Sequence, residues 1–331
     1  MAKEPHIPII DFAGTDEAAL AEQIRAACLN NGFFYLTNHG LDEDLLRSVF
    51  EQNQRFHDRP LAEKQAIKLN HWHRGYQGLA TSKLVSSARF APAKSANQLA
   101  SFFLRQEVSP DDPDYLTGAM KGPNQWPEWS GGAEFQNIVR RYDTAVRALA
   151  MSLLPAIALA VGEGRDFFLP YFQNATTALR LIHYPPVERE PSDDAYGIHP
   201  HTDYGFITIL AQDQTGGLEL QTPSSGKVGG GWIPAPPVPG TLIINIGDAM
   251  ARWTNDTFNS TPHRVISPSS RASRYSVAMF FDPDVDAEIR CLNQFTNAAN
   301  PVRHPAIRYG DYLSERLNAN YPDRVAGVMQ A

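Results

Sequence analysis

The chain has 331 residues, of which 43% are hydrophobic and 20% are charged, and its formal net charge is −7. This composition is typical of a globular protein and excludes a disordered or fibrous chain. A nucleic-acid binder needs clustered Lys and Arg, whereas the 29 basic residues here are scattered and outnumbered by 36 acidic ones. We therefore expect no nucleic-acid partner.

The two cysteines, Cys28 and Cys291, are too few for a disulfide framework or a zinc cage and favour a reducing compartment. Residues 1–12 contain no apolar signal core, and no run of about 18 apolar residues occurs. The longest apolar stretch, Ala148–Val161, is interrupted by Pro155 and predicts a buried helix. We expect a cytoplasmic protein without a membrane partner, and a monomer because the sequence has no coiled-coil or repeat pattern.

The first 60 residues predict two short strands and two amphipathic helices. Apolar residues recur at helical spacing, aromatic and β-branched runs favour strands, and Asn31-Gly32 is a typical helix end. In chain order the predicted elements are a strand at Pro8–Phe12, a helix at Asp16–Asn31, a strand at Gly32–Thr37 and a helix at Asp42–Phe56.

Residues 60–130 lack a sustained hydrophobic period and contain many turn residues, so they predict loops with short helices. His71 and His73 in this segment are expected to be exposed loop residues. Glu134–Val161 then predicts a long helix with a kink or break at Pro155.

From about Thr176 onward the pattern changes to short β-rich runs separated by Gly and Pro. Regularly spaced short strands favour a sandwich or jelly roll over a parallel sheet. A Gly- and Ser-rich hairpin loop is expected at Ser224–Gly231, and a C-terminal helix at Tyr309–Asn318. The predicted strands are Thr177–Tyr184, Gly205–Gln212, Gly217–Gln221, Gly240–Ile246, His263–Ile266 and Ser273–Phe281.

A His-x-Asp pair and a distant histidine form a candidate metal site. His201 and Asp203 are two residues apart, so on a strand their side chains project to the same side; His263 follows sixty residues after Asp203. Two imidazoles and one carboxylate on one face of an octahedral metal leave three positions for substrate, co-substrate and O2. A His-x-Asp pair alone often occurs by chance. His199 is either a further candidate on the same face or a hydrogen-bonded core histidine.

Arg274 and Ser276 form a candidate carboxylate site. They share one face of a predicted strand that begins soon after His263. A guanidinium offers a carboxylate two parallel charge-assisted hydrogen bonds, and the phenol of Tyr184 supplies a further donor. Taken alone, Arg274 is better explained as an exposed arginine at a strand edge.

Together these motifs resemble the iron(II)- and 2-oxoglutarate-dependent dioxygenases, in particular the isopenicillin N synthase-like branch. The resemblance implies a mainly β fold with flanking helices, in which a distorted double-stranded β-helix, or cupin-like jelly roll, follows an N-terminal α/β segment. It spans nearly the whole chain and rests on Ile7–Phe12, Gly32–Gly40, His201–Gly205, Gly240–Asp248, and His263–Val265 with Arg274–Ser276.

The resemblance also implies a division of the chain. Residues 6–130 would form the N-terminal helical and mixed segment, and 134–174 the connecting long helix. Residues 176–285 would form the jelly-roll core, and 286–331 a C-terminal strand and helix that act as a lid.

The activity implied by the resemblance is that of an oxidoreductase acting on paired donors with O2. It would convert 2-oxoglutarate to succinate and CO2 while it hydroxylates, desaturates or oxidatively cyclises a small organic molecule, in a biosynthetic tailoring step. Carried over residue by residue, the iron(II) ligands are His201, Asp203 and His263, and the residues that bind 2-oxoglutarate are Arg274, Ser276 and Tyr184.

These motifs leave the substrate unidentified. Lys83, Arg89 and Lys94 make the predicted loop over the site basic, which favours a carboxylated substrate. Arg180 shares a strand face with Tyr184, where it meets either an anionic substrate or a structural ion-pair partner. The residues expected to contact the substrate are Arg180, Ile182, His199, Tyr204, Phe206 and Phe281.

Two alternatives remain open at this point. The first is an iron(II) oxidase of the isopenicillin N synthase type, which does not consume 2-oxoglutarate. Gln330, next to last in the chain, resembles the penultimate glutamine that can bind the iron of that enzyme when substrate is absent, although a solvated terminus is the simpler interpretation. The second is a catalytically inactive binding protein of the same fold, against which the retention of all three ligands argues.

Overall fold

The computed structural model of the chain describes residues 7–84, 92–113, 115–116, 120–186, 196–222, 231–267 and 272–321. Within these ranges the helices are α1 (Glu17–Asn30), α2 (Glu43–His57), α3 (Leu61–Gln65), α4 (Gly132–Ala160), α5 (Asp248–Trp253) and α6 (Tyr309–Asn320), with short 3-10 turns at Leu169–Phe172 and Asn293–Phe295. The strands are β1 (Ile9–Asp11), β2 (Phe33–Thr37), β3 (Gly75–Gln77), β4 (Ala100–Arg105), β5 (Thr176–Tyr184), β6 (Tyr196–His201), β7 (Ile207–Gln212), β8 (Leu218–Gln221), β9 (Trp232–Pro234), β10 (Thr241–Ile246), β11 (His263–Ile266), β12 (Arg274–Asp282), β13 (Glu288–Ile289) and β14 (Ile307–Arg308).

The strands form a large sheet in the order β1-β2-β10-β7-β12-β5-β4-β3, a small sheet in the order β6-β11-β8-β9, and a hairpin of β13 and β14. All pairs are antiparallel except β1 with β2. Side chains alternate across the large sheet: one face packs on α1, α2 and α4, and the other joins the small sheet in an inner core. The predicted jelly-roll architecture is confirmed.

Local side-chain chemistry fixes the ends of the first two helices. The Asp16 carboxylate accepts hydrogen bonds from the first turn of α1, and Asp42 does the same for α2. Helix α1 ends before Gly32, whose φ of +67° places it in the left-handed region. A Cβ at Gly32 would lie 2.1 Å from the Asn259 carbonyl oxygen, so this helix end also needs glycine to pack against the core.

The prediction of loops and short helices for residues 60–130 was wrong in one respect. Strands β3 and β4 extend the large sheet, because β4 pairs with β5 over six residues and satisfies its backbone groups there. Its paired residues lie 73 to 83 positions away in the chain, so the sequence around β4 has no local period that predicts a strand. The N-terminal segment and the β-rich half therefore share one sheet.

Helix α4 continues through Pro155 without a break. A proline removes one backbone hydrogen bond, and the packing of α4 against α1, α2 and β12 offsets this loss. By length and composition α4 could cross a membrane, but 56% of its most apolar window is buried inside the protein. It is the central core helix that the sequence predicts.

Three features of the sequence analysis fall outside the described residues. They are the predicted hairpin loop apart from its last residue Gly231, the basic residue Arg89, and Gln330.

Candidate active site

The three predicted metal ligands lie together between the two sheets. His263 on β11 is paired directly with His201 at the end of β6, and Asp203 follows two residues beyond that strand, in a turn rather than on the strand itself. The Nε2 atoms of both histidines lie 3.8 Å from Asp203 Oδ1, and the three donor atoms all lie within 4.8 Å of one another. One ion can contact all three.

Backbone carbonyls determine which nitrogen of each histidine faces this cluster. His201 Nδ1 is 2.8 Å from the His199 carbonyl oxygen, and His263 Nδ1 is 3.1 Å from that of Thr261. A carbonyl only accepts, so Nδ1 carries the hydrogen and Nε2 keeps its lone pair for a metal. Burial, together with the nearby His263, lowers the pKa of His201 to about 3. The imidazole is therefore neutral at physiological pH, as a ligand must be.

Hydrogen bonds also orient the carboxylate. Asp203 Oδ2 accepts from Thr208 Oγ1 at 2.6 Å and from Asn245 Nδ2 at 2.8 Å, which leaves Oδ1 for the ion. Burial acts to raise the pKa of Asp203, but the two histidines and these two hydrogen bonds outweigh it and lower the pKa. Two imidazoles and one carboxylate fit a divalent iron of the facial-triad type. Within the described residues no other group of three His, Cys, Asp or Glu could hold an ion.

Arg274 is a deeply buried guanidinium with neutral partners. Arg274 is only 1% exposed to solvent. Its nitrogens donate to the Gly216 carbonyl at 2.6 Å, to Gln212 Oε1 at 3.1 Å and to Ser276 Oγ at 3.4 Å. The Tyr184 ring lies against it, 4.7 Å from the guanidinium carbon. No carboxylate of the described residues forms an ion pair with this charge, and a buried charge without a counterion favours an anionic ligand.

A cavity opens beside the metal cluster. His201, Thr202 and Asp203 form one wall, and Leu313 and Leu317 of α6 close another side. The remaining lining includes six charged and aromatic side chains: Arg105, Arg180, Asp282, Phe103, Phe280 and Tyr204. The cavity can therefore hold a small molecule next to an ion at the cluster.

Of the six residues predicted to contact the substrate, Arg180 and Tyr204 line this cavity. Phe281 and Phe206 do not. Phe281 stacks on Phe172 on the helix-facing side of the sheet, with ring centroids 4.9 Å apart, and Phe206 packs edge-on against the same ring. Arg274 and Ser276 face inward, so alternation along β12 points Phe280 into the cavity instead of Phe281.

Ile182 and His199 take supporting positions outside the cavity lining. Ile182 packs with Tyr184 and Ile198 in the inner core. His199 is buried; its Nδ1 lies 2.9 Å from Asn97 Oδ1, and its Nε2 lies 3.2 Å from Ser95 Oγ. Of the two interpretations of His199, the hydrogen-bonded core histidine matches this position. The His199 carbonyl oxygen accepts from His201 Nδ1, so His199 orients a metal ligand through its backbone.

Arg180 is anchored on one edge only. Its Nη2 donates to Gln77 Oε1 at 2.9 Å and its Nε to Ser101 Oγ at 3.1 Å, while Ser101 Oγ donates to Gln77 Oε1. The Phe103 ring lies 4.7 Å from the guanidinium carbon. Nη1 forms no hydrogen bond with the described residues. The Nη1–Nη2 end of the guanidinium therefore remains available to an acceptor in the cavity.

His73 is buried, whereas the basic loop residues Lys83 and Lys94 are exposed. His73 was predicted to be exposed but is 2% exposed and lines the cavity, with its ring 4.6 Å from that of Phe103. The prediction was wrong because β3 and β4 fold this segment onto the sheet. Lys83 and Lys94 are exposed and lie outside the cavity lining.

The sequence analysis missed the residues that orient the ligands. Asn245 and Thr208 are polar residues at inward positions of largely apolar strands, and such an interruption was the available signal. Gln77, Ser101 and Arg105 carried no such signal, because the strands that contain them were not predicted.

Two glycines allow the loop after the ligands to pack closely. A Cβ at Gly205 would lie 1.6 Å from Asp282 Oδ1, and a Cβ at Gly247 would lie 2.3 Å from the Gly205 carbonyl oxygen. The Gly247 amide donates to the Phe206 carbonyl at 3.0 Å. Backbone packs directly on backbone at this point, which holds the Asp203 turn against the start of α5.

Two family profiles match this chain. The family described as the N-terminal region of the non-haem dioxygenase in morphine synthesis matches residues 7–129, and the 2OG-Fe(II) oxygenase superfamily matches residues 175–283.

Curated relatives and solved structures are similar over nearly the full length. A 2-oxoglutarate-Fe(II) type oxidoreductase from Aspergillus fumigatus is 33% identical over 96% of this chain and 94% of its own length. The 2-oxoglutarate-Fe(II) type oxidoreductase hxnY from Emericella nidulans is 34% identical over 95% of this chain and 90% of its own. The crystal structure of a full-length Neurospora crassa protein in complex with alpha-KG and thymine superimposes with a TM-score of 0.81 at 29% identity, over 96% of this chain and 98% of that protein.

Proposed function

Because this chain belongs to the 2-oxoglutarate- and iron(II)-dependent oxygenase superfamily, we propose that it oxidises a small organic molecule that carries an acidic group. Iron is held by His201, Asp203 and His263. The observation that carries this assignment is the convergence of three oriented donor atoms within 4.8 Å. When bound, iron supplies O2 activation coupled to the conversion of 2-oxoglutarate to succinate and CO2.

The 2-oxoglutarate site lies at Arg274. Its buried guanidinium and the Ser276 hydroxyl receive the carboxylate remote from the keto group, and Tyr184 packs against the guanidinium. Gly216 and Gln212 hold Arg274 from behind. These contacts fix the orientation of the co-substrate, and the surrounding inner core excludes water from it.

The acidic group of the substrate binds at Arg180. Gln77 and Ser101 occupy one edge of this guanidinium and set its direction, so its free end meets a carboxylate in the cavity. Arg180 is buried and has no acidic ion-pair partner among the described residues, which favours an anionic substrate over the structural ion pair. The Neurospora crassa structure holds thymine together with alpha-KG, which supports a small molecule bound beside the co-substrate. The substrate's position relative to the iron then selects hydroxylation, desaturation or cyclisation.

The proposal extends to the setting of the enzyme. Cys28 and Cys291 are free, which supports a cytoplasmic location. A monomer and a role in biosynthetic tailoring complete the proposal.

The test uses the iron-loaded protein with O2 and 2-oxoglutarate, and measures succinate released in the presence of small aromatic and aliphatic acids or their methyl esters. We expect some acids to stimulate succinate release and their esters not to, because Arg180 loses its charged partner. Arg180→Met should abolish this discrimination, whereas Arg290→Met, at an exposed arginine just after β13, should retain it. Equal stimulation by esters would overturn the acidic-substrate proposal. Substrate oxidation without succinate would favour the oxidase of the isopenicillin N synthase type.

A further inference from the structure

Two oppositely charged side chains line the cavity without pairing directly. Arg105 on β4 and Asp282 at the end of β12 are each 6% exposed, and both border the cavity. Their charges act on each other, yet no ion pair of 4 Å or less joins them. Buried opposite charges that are more than 4 Å apart leave room for a polar group between them.

The hydrogen bonding of this pair is incomplete. Arg105 Nη1 donates to the Thr177 carbonyl at 3.5 Å, and its buried Nε has no partner among the described residues. Asp282 Oδ1 accepts from the Phe206 amide at 2.9 Å, and the Tyr309 hydroxyl lies beside the same carboxyl. Burial raises the pKa of Asp282 to about 6. Buried polar groups of this kind are normally satisfied, so a ligand that completes their hydrogen bonds would be favoured.

The two members of the pair lie at different distances along the sheet from Arg180. On β12, Ala278 is paired with Arg180 and Asp282 with Thr176, so Asp282 lies four residues from the level of Arg180. Arg105 on β4 is paired with Ala178, two residues from that level. Two and four residues of an antiparallel strand span about 7 and 13 Å. Phe280, which faces the cavity, lies at the level of Arg105, between those of Arg180 and Asp282. The cavity is therefore polar beyond Arg180 as well, with Phe280 in its wall between Arg180 and Asp282.

We propose that Arg105 and Asp282 form a second polar subsite that binds an amide-like group of the substrate, whose carbonyl accepts from Arg105 and whose N–H donates to Asp282. An arginine only donates and a carboxylate accepts, so the pair matches a group that has both functions. The preferred substrates are acids that also carry an amide, lactam or ureido group. This inference rests on the proposed function, because it takes the cavity as the substrate site.

The test compares probes that share a carboxylate and differ only at the opposite end of the chain. ω-Carbamoyl alkanoates with two to six methylene groups are titrated by calorimetry against unsubstituted alkanoates of equal chain length. The protein is first saturated with Mn²⁺ and N-oxalylglycine, an analogue that fills the 2-oxoglutarate site. We expect the best carbamoyl probe to bind about tenfold or more tightly than its alkanoate, as for a hydrogen bond to a charged group. Equal affinities would mean that water alone bridges the pair, and would overturn the inference.

Two variants test whether the preference for carbamoyl probes arises at Arg105 and Asp282. Arg105→Met should reduce the ratio of the two affinities to about one, and the surface variant Arg290→Met should leave it unchanged. A ratio that survives Arg105→Met in a protein with a normal melting curve would also overturn the inference. The comparison of probes on the unmodified protein decides the matter even if Arg105→Met does not fold. Acids that bind without an amide preference contradict this subsite alone, whereas failure of every acid to bind contradicts the proposed acidic substrate.

Discussion

Thr208→Val tests whether the hydrogen bonds behind Asp203 determine metal affinity. The hydroxyl of Thr208 donates to Asp203 Oδ2 at 2.6 Å, and both residues are buried. Valine has nearly the same shape but no hydroxyl, so Oδ2 keeps only Asn245 as a donor and the carboxylate loses part of its orientation. Loss of such an outer partner typically weakens metal binding about 10- to 100-fold, which is about 1.4–2.8 kcal/mol.

The assay is calorimetric titration of the metal-free protein with Mn²⁺ or Co²⁺ at pH 7. Thr177→Val is the matched control, because Thr177 is also buried but its hydroxyl has no partner among the described residues. We expect this control to bind metal normally and to be as stable as the parent or more so, since it removes an unsatisfied buried group. Unchanged metal affinity in Thr208→Val, or an equal loss in the control, would refute the reasoning.

Three further predictions follow from the same contacts. Arg274→Leu should raise the 2-oxoglutarate concentration for half-maximal succinate formation by about 10- to 100-fold, with metal affinity retained; an unchanged requirement would contradict the co-substrate site. His201→Ala should lose iron and turnover while circular dichroism shows an intact fold, and iron retention would contradict its role as a ligand. Burial and the nearby Lys64 lower the pKa of His183 to about 4 from the usual 6.5. The folded state therefore favours the neutral imidazole, and the contribution of His183 to the free energy of unfolding, complete above pH 6.5, is lost as the pH falls towards 4. In urea unfolding His183→Gln should lose less stability over that range, by up to about 3 kcal/mol, and parallel pH curves would show that His183 does not contribute.

The metal site could be predicted because its signal is local chemistry. His201 and Asp203 are close in sequence, and the alternation of strand residues places Arg274 and Ser276 on one face. The same alternation, continued along the strand, would have selected Phe280 over Phe281.

The part of the site that β3, β4 and β5 form could not be predicted, because its residues meet only through strand pairing. Gln77, Ser101 and Arg180 form one network across three strands, and Arg105 lies four residues along β4 from Ser101. The segment that carries β3 and β4 has no periodic pattern, so long-range pairing decides its structure. The burial of His73 follows from the same pairing.

The close approach of backbone at Gly205 and Gly247 limits how this enzyme can be redesigned. Positions adjoining a reactive centre are the usual targets of mutant libraries that seek new selectivity. At these two places any side chain would collide with Asp282 or with the facing carbonyl and displace the turn that carries Asp203. Variation is better directed at Phe103 and Phe280, where the wall is built from side chains and can be reshaped without moving the main chain.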